Sequence, residues 1–230
     1  EEGNIGPTLD AIVQRLRSED IDFEIVAVDD HCSDDTVAEI HSRQVREPRI
    51  RCVTNTGRGG FGHAVRCGLG HFTGDAVAIV MADLSDDPED LVSYYRILDS
   101  GVECAFGSRF IKGGRVIDYP GHKLVLNRIA NTFIRILFGF RYNDVTNAFK
   151  AYRAEVIRGC SPLLSAHFNL TVEIPLKAII RGYSWKVTPI SWRNRAIGVS
   201  KLRIREMGSR YLFIVLYALL ERWLTGGDYS

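Results

Sequence analysis

Asp83, Asp86 and Asp87 follow an apolar run, Ala76 to Met81, and Pro88 opens a helical pattern directly after them. An apolar run, an acidic tip and a Pro-started helix describe a buried parallel strand that delivers charge to a ligand at the carboxyl edge of a sheet. Carboxylates placed there suit Mg²⁺ or Mn²⁺, hard cations that take one or two carboxylates and complete their shell with substrate phosphates. A helix first turn rich in acid, favoured by the macrodipole, accounts equally well for Asp86, Asp87 and Glu89. It does not account for Asp83, which ends the strand.

A second acidic tip, Asp29-Asp30, closes the apolar run Phe23 to Val28. Acceptors at such a tip can take the ring edge and ribose hydroxyls of a nucleotide, while Ser33 and Asp34 cap the helix that follows. Gly57-x-Gly59-x-x-Gly62 matches the dinucleotide fingerprint in spacing but follows what reads as a later strand of the fold. A turn permitting close packing explains it as well. Arg109, Lys112 and Arg115 form one basic loop, and Arg193, Arg195 and Lys201 another. Guanidinium groups pair bidentately with phosphate, and the neighbouring Gly113, Gly114 and Gly198 suit loops that bind substrate; solvated surface charge is the plainer alternative.

These residues need a frame. Strand and helix patterns alternate from Pro7 to Arg109, with strands over 23–28, 49–54, 76–81 and 102–106 and helices between them. That rhythm predicts a doubly wound, mainly parallel α/β sheet. Beyond Arg109, Lys112 to Arg115 reads as a flexible loop. Residues 122–138 read as a helix, 149–152 as a short strand, 171–181 as a helix closed by Gly182, and 185–190 as a strand. Residues 205–224 form a strongly apolar helix. One unit over 1–203 and an apolar C-terminal helix within 204–230 describe the chain. It opens on a helix, so a further strand is expected ahead of Glu1.

The 230 residues carry a net charge of +1, which gives no general pull toward nucleic acid. Five cysteines in irregular spacing form neither a metal pattern nor an even disulfide framework, so a reducing, cytoplasmic setting is expected. No stretch reaches the roughly 20 apolar residues that span a bilayer.

In order along the chain, these segments resemble family 2 glycosyltransferases of the GT-A fold, in the branch of the polyprenyl-phosphate hexose synthases such as dolichyl-phosphate mannose synthase. Glu1 to Ile5 resembles the end of the family's opening PxYNExxNI segment, and Val28 to Thr36 resembles its VDDxSxDxT segment. Asn55 to Gly60 resembles the NxGxG turn, which sets the dinucleotide reading aside. Gly107 to Gly114 resembles GSRxxxGG, Asp144 to Tyr152 resembles DxxxGFRxY, and Arg195 to Lys201 resembles RxxGxSK. One departure stands out: the family's Asp-x-Asp is Met81-Ala82-Asp83 here.

The resemblance implies inverting transfer of a hexose from a nucleotide-diphosphate sugar, GDP-mannose or UDP-glucose in type, to a polyprenyl or dolichyl phosphate. The enzyme would be attached peripherally to the cytoplasmic membrane face. It implies Mg²⁺ or Mn²⁺ on Asp83, aided by Asp86 or Asp87, and donor binding by Glu2, Asp29, Asp30 and Arg58. Arg109, Arg115, Arg195 and Lys201 would bind phosphate. With a phosphate acceptor no strong base is needed and Asp144 orients; with a hydroxyl acceptor, on a glycan for instance, Asp144 is the candidate base. The helices over 122–138 and 205–224 are expected to meet the membrane, or else the core or a second copy of the chain.

Overall fold

The computed structural model describes residues 1–194 and 204–225. Its elements in order are α1 (Ile5–Ser18), β1 (Ile25–Asp29), α2 (Thr36–Arg46), β2 (Ile50–Thr54), α3 (Phe61–Leu69), β3 (Ala76–Ile79), α4 (Pro88–Asp99) and β4 (Cys104–Ser108). Then follow β5 (Arg115–Ile117), α5 (Gly121–Phe138), β6 (Lys150–Arg153), α6 (Ala154–Gly159), α7 (Leu170–Ile180), β7 (Trp185–Pro189), β8 (Ser191–Arg193) and α8 (Ile204–Leu224).

The strands form three sheets among the described residues: β1-β2, β3-β6-β4-β7 and β5-β8. The β1/β2, β4/β7 and β5/β8 pairs are parallel, as the alternation predicts. β6 is the exception, lying antiparallel between β3 and β4. β4 is buried at every position, and its Phe106 belongs to a cluster that includes Tyr142, Val172 and Leu176. Ile214, Val215, Ala218 and Leu219 of α8 belong to that same cluster, so one face of this apolar helix is core. A second cluster, which includes Ile97, Leu98 and Phe149, has both Ile25 of β1 and Ala78 of β3 packed against it.

Local chemistry sets the boundaries. α4 starts at Pro88, and the Asp87 carboxylate accepts from the Glu89 amide at 3.0 Å. α7 ends before Gly182, whose φ of +80° suits the glycine beyond a helix end. At α2 the N-cap position falls to Asp35; Asp34, not Ser33, reaches the Thr36 amide at 3.3 Å. The basic segment 112–115 is not loop throughout: Arg115 begins β5.

Gly62 is a packing glycine. A Cβ there would meet Ser165 O at 2.5 Å, Ala166 C at 2.6 Å and His167 N at 2.7 Å. These are backbone atoms of the segment whose Ala166 carbonyl accepts from the Gly62 amide, and they cannot swing aside. Gly62→Ala is expected to cost about 2 kcal/mol or more in urea unfolding, the range of overpacked sites.

Glu24 ties β2 to the entry of β3. Its carboxylate accepts from the amides of Thr73 and Gly74 and from the Arg51 guanidinium. Burial pushes Glu24 up, but those donors outweigh it and hold it at about 2, against an ordinary value of 4.5. A depressed carboxylate stabilises fully above its unfolded value and loses that contribution as pH falls through the folded one. Stability should therefore drop between pH 4.5 and about 2. Urea titrations across that window should show a shallower drop for Glu24→Gln.

Candidate active site

β3 ends at Ile79, and the chain then folds back on itself. The Ser85 amide donates to Asp83 Oδ1 at 3.1 Å, and the Met81 amide donates to Asp86 Oδ2 at 3.1 Å. Leu84, at the apex, takes φ +56° and is steadied by Thr8 Oγ1 of α1 at 3.2 Å. Asp83 and Asp86 are both buried, at 4% and 7% exposure, so neither is a solvated surface charge. Burial pushes Asp86 up to about 7, and the Asp83 charge adds to the shift, against the Met81 amide and Arg109. Asp87 is spent on capping α4.

The three candidate carboxylates thus separate. Asp83 and Asp86 share one electrostatic pocket, and Asp87 serves the helix. Among the described residues no group of three His, Cys, Asp or Glu side chains forms a metal cage. A divalent cation fits this donor set only if a bound diphosphate supplies further oxygens, which is the usual arrangement for Mg²⁺. A cation would also relieve the repulsion that raises Asp86.

β8 holds this acidic turn from the side. The Arg193 amide donates to Ser85 O at 2.9 Å, the Ser191 amide donates to Asp90 Oδ2 at 2.8 Å, and Trp192 bridges Asp86. β5 pairs with β8 in the register Arg115↔Ser191 and Ile117↔Arg193. Alternation puts Arg115 and Arg193 on one face of this ribbon and Trp192 on the other. Both arginines are exposed. Trp192 packs on Tyr119 with ring centroids 4.8 Å apart, and the Arg109 guanidinium lies 5.8 and 5.9 Å from those two rings.

Arg109 is not a loose phosphate ligand. It leaves β4 buried and meets Asp144 through three bonds: its amide to Oδ2 at 3.0 Å, Nε to Oδ2 at 2.8 Å and Nη2 to Oδ1 at 2.7 Å. Burial opposes the Arg109 charge, and the Asp144 carboxylate more than offsets it, holding the guanidinium above its ordinary range. The neighbours are fixed as well. Ser108 Oγ donates to Asn143 Oδ1 at 2.6 Å, and Tyr142 Oη donates to Gly107 O at 3.0 Å. Buried Lys150 donates to the carbonyls of Val145, Asn147 and Thr171.

The second acidic tip is also organised. Asp30 accepts from Asn55 Nδ2 and from the Gly60 amide, each at 2.7 Å, and Asn55 Nδ2 reaches Arg58 O at 2.9 Å. Asp30 therefore shapes the glycine turn with both oxygens. Asp29 uses Oδ1 for the Cys32 amide at 2.9 Å. The Arg58 and Glu2 side chains are exposed. Thr8, which holds Leu84, places α1 beside the acidic turn, and its Leu9 shares a core cluster with Ala27 of β1 and Ala82. Arg195 and Lys201 lie outside the described residues. Sequence reasoning missed Thr8, Tyr119, Trp192 and Asn143. None sits in a spacing that marks it, because pairing across distant segments is what recruits it.

The sequence profile of Glycosyl transferase family 2 matches residues 1–160. Polyprenol monophosphomannose synthase of Mycolicibacterium smegmatis is 34% identical over 207 residues, 86% of this chain and 78% of that protein. Dolichol-phosphate mannosyltransferase of Pyrococcus furiosus is 30% identical over 192 residues, 80% of this chain and 51% of that protein. Among solved structures, glucosyl-3-phosphoglycerate synthase from Mycobacterium tuberculosis, in complex with Mn²⁺ and uridine-diphosphate-glucose, superposes with a TM-score of 0.70 at 17% identity. The match covers 96% of this chain and 75% of that one, a likeness of fold.

Proposed function

This chain belongs to glycosyl transferase family 2 and is a glycosyltransferase, and we propose that it moves a hexose from a nucleotide-diphosphate sugar to a polyprenyl phosphate. The observation that carries this reading is the buried Asp83 turn beside Asp86, set in a chain one third identical over most of its length to a polyprenol monophosphomannose synthase. Mannose is accordingly the first sugar to test.

In this reading Asp83, with Asp86 beside it, holds a divalent cation, Mn²⁺ or Mg²⁺. When bound, the cation neutralises charge on the departing diphosphate. Asp29 takes a nucleoside hydroxyl through Oδ2, and Asp30 keeps the 55–60 turn in shape for it, with Arg58 and Glu2 at the rim. Arg115 and Arg193, exposed together on one ribbon face, bind phosphate. Arg195 and Lys201 join them by the family resemblance alone. An acceptor phosphate is already ionised near neutral pH, so positioning and electrostatics carry the reaction, with inversion at the anomeric carbon. Asp144, fully buried and clamped by Arg109, is a positioning residue. For it to act as a base toward a hydroxyl acceptor the ion pair would have to open, which favours the phosphate acceptor.

A lipid acceptor requires contact with a membrane surface. No helix among the described residues is long and apolar enough to cross a membrane. α5 exposes Val125, Ile129, Phe133 and Ile136, spaced at helical intervals, alongside Lys123, Arg128 and Arg135. α8 exposes Leu212, Phe213, Leu216 and Leu220. We assign both faces to the bilayer interface.

The test is direct: purified protein, Mn²⁺, labelled GDP-mannose, UDP-glucose and other common donors, and polyprenyl phosphate. Label should pass into the lipid from one donor. No label in lipid from any donor, with label entering a hydroxyl acceptor instead, overturns the proposal.

A further inference from the structure

Two sets of elements hold the acidic turn. The first is α1 with β1: Thr8 steadies Leu84, Leu9 shares a cluster with Ala27 and Ala82, and β1 ends in Asp29. The second is β8: the Arg193 amide donates to Ser85 O at 2.9 Å, and the Trp192 backbone is bridged to Asp86. β3 is the edge strand of its sheet, so β6, β4 and β7 all lie to one side of it, and β8 follows directly on β7. β1 belongs to a separate sheet. A diphosphate at Asp83 has two ends. Its nucleoside end goes to Asp29 and the 55–60 turn, which leaves the other end to what β8 presents.

What β8 presents is aromatic. Trp192 and Tyr119 meet with ring centroids 4.8 Å apart and planes tilted by 58°. A tilted pair leaves more ring face open than a parallel stack, and both residues are half-buried. Neither Trp192 Nε1 nor Tyr119 Oη has a hydrogen-bond partner among the described residues, and neither atom is sealed from solvent. Tyr119 is fixed by its approach: Asp118 before it takes φ +56°, and the Asn194 amide donates to Ile117 O at 3.0 Å.

Covering Arg109 does not account for the pair. Its guanidinium lies 5.8 and 5.9 Å from the two rings, at the outer limit of cation–π contact. Phe110 lies closer to it, at 5.2 Å, and Asp144 already binds it. A hexose supplies what the corner lacks. One face of a pyranose is a row of C–H groups that settles on the electron-rich face of an aromatic ring, and its hydroxyls pair with an indole N–H or a phenol. An isoprene unit offers no partner to either polar atom.

We infer that Trp192 and Tyr119 receive the hexose of the donor, Trp192 through its ring face and Tyr119 through its hydroxyl. They set how firmly the sugar is held, as distinct from the nucleoside diphosphate. This rests on the nucleotide-sugar reading above. Its test needs no acceptor, so a failure to transfer sugar to lipid leaves it standing, whereas no binding of any nucleotide sugar removes both.

The experiment titrates the whole chain with Mn²⁺ by calorimetry, using GDP against GDP-mannose and UDP against UDP-glucose, and carries the pair that binds to the variants. Trp192→Ala should weaken the sugar nucleotide about tenfold and the free diphosphate less than about twofold. Trp192→Phe should restore most of that loss, and Tyr119→Phe should weaken the sugar nucleotide alone, severalfold. Should Trp192→Ala unfold, Trp192→Leu and Tyr119→Phe still decide. Equal weakening of both ligands, or of neither, makes the pair structural and overturns the inference. A raised KM for polyprenyl phosphate with donor binding unchanged also overturns it, assigning the pair to the acceptor.

Discussion

Asp83→Asn is expected to lower turnover by about a thousandfold or more while leaving the melting temperature nearly unchanged. The two halves of that expectation come from different atoms. The retained Oδ1 of an asparagine still accepts the Ser85 amide, now at 3.1 Å, so the turn survives. What goes is the charge at the end of β3, and no cage of three metal-ligating side chains among the described residues can replace it. Asp86→Asn should cost turnover less, because burial and the Asp83 charge raise that carboxyl to about 7, so it carries only part of a charge near neutral pH. Asp87→Asn should leave turnover intact, since the cap on Glu89 survives in asparagine. Turnover measured against Mn²⁺ concentration separates the three. An Asp83→Asn enzyme within tenfold of the parent would remove Asp83 from the metal site.

Asp144→Ala is the second large effect, and it falls on stability first. The substitution leaves Arg109, 94% out of solvent by its own exposure of 6%, with an uncompensated charge. Removing one partner of such a pair typically costs about 3–5 kcal/mol. Urea unfolding should show that loss, and the double variant Arg109→Met with Asp144→Leu should recover much of it, because no lone charge remains. Asp144→Asn distinguishes positioning from base catalysis. If Asp144 positions Arg109, the variant lowers turnover with the pH profile unchanged in shape. Loss of the acidic limb of that profile would make Asp144 the base and favour a hydroxyl acceptor.

The legible parts of the fold were those written in local chemistry. Pro88 and Asp87 mark the start of α4, and Gly182 marks the end of α7, each by a backbone rule that acts over a few residues. β5 and β8 were not legible. Each is three residues long, too short for periodicity, and each exists because the other pairs with it from 76 positions away, Arg115 with Ser191. The antiparallel run of β6 between β3 and β4 is likewise a matter of partner choice, which the alternation of elements does not encode. At the site, the acidic tips were readable from apolar runs ending in carboxylates. Burial then divided them: Asp86 reads as a helix-start acid but lies inside, its backbone bridged to Trp192. Arg109 reads as a phosphate ligand, but its partner Asp144 lies 35 residues on and nothing local announces the pair.

β1 and β3 flank one core cluster, and among the described residues each is paired on one side only, β1 with β2 and β3 with β6. An unpaired side is a row of backbone donors and acceptors ready to template another strand.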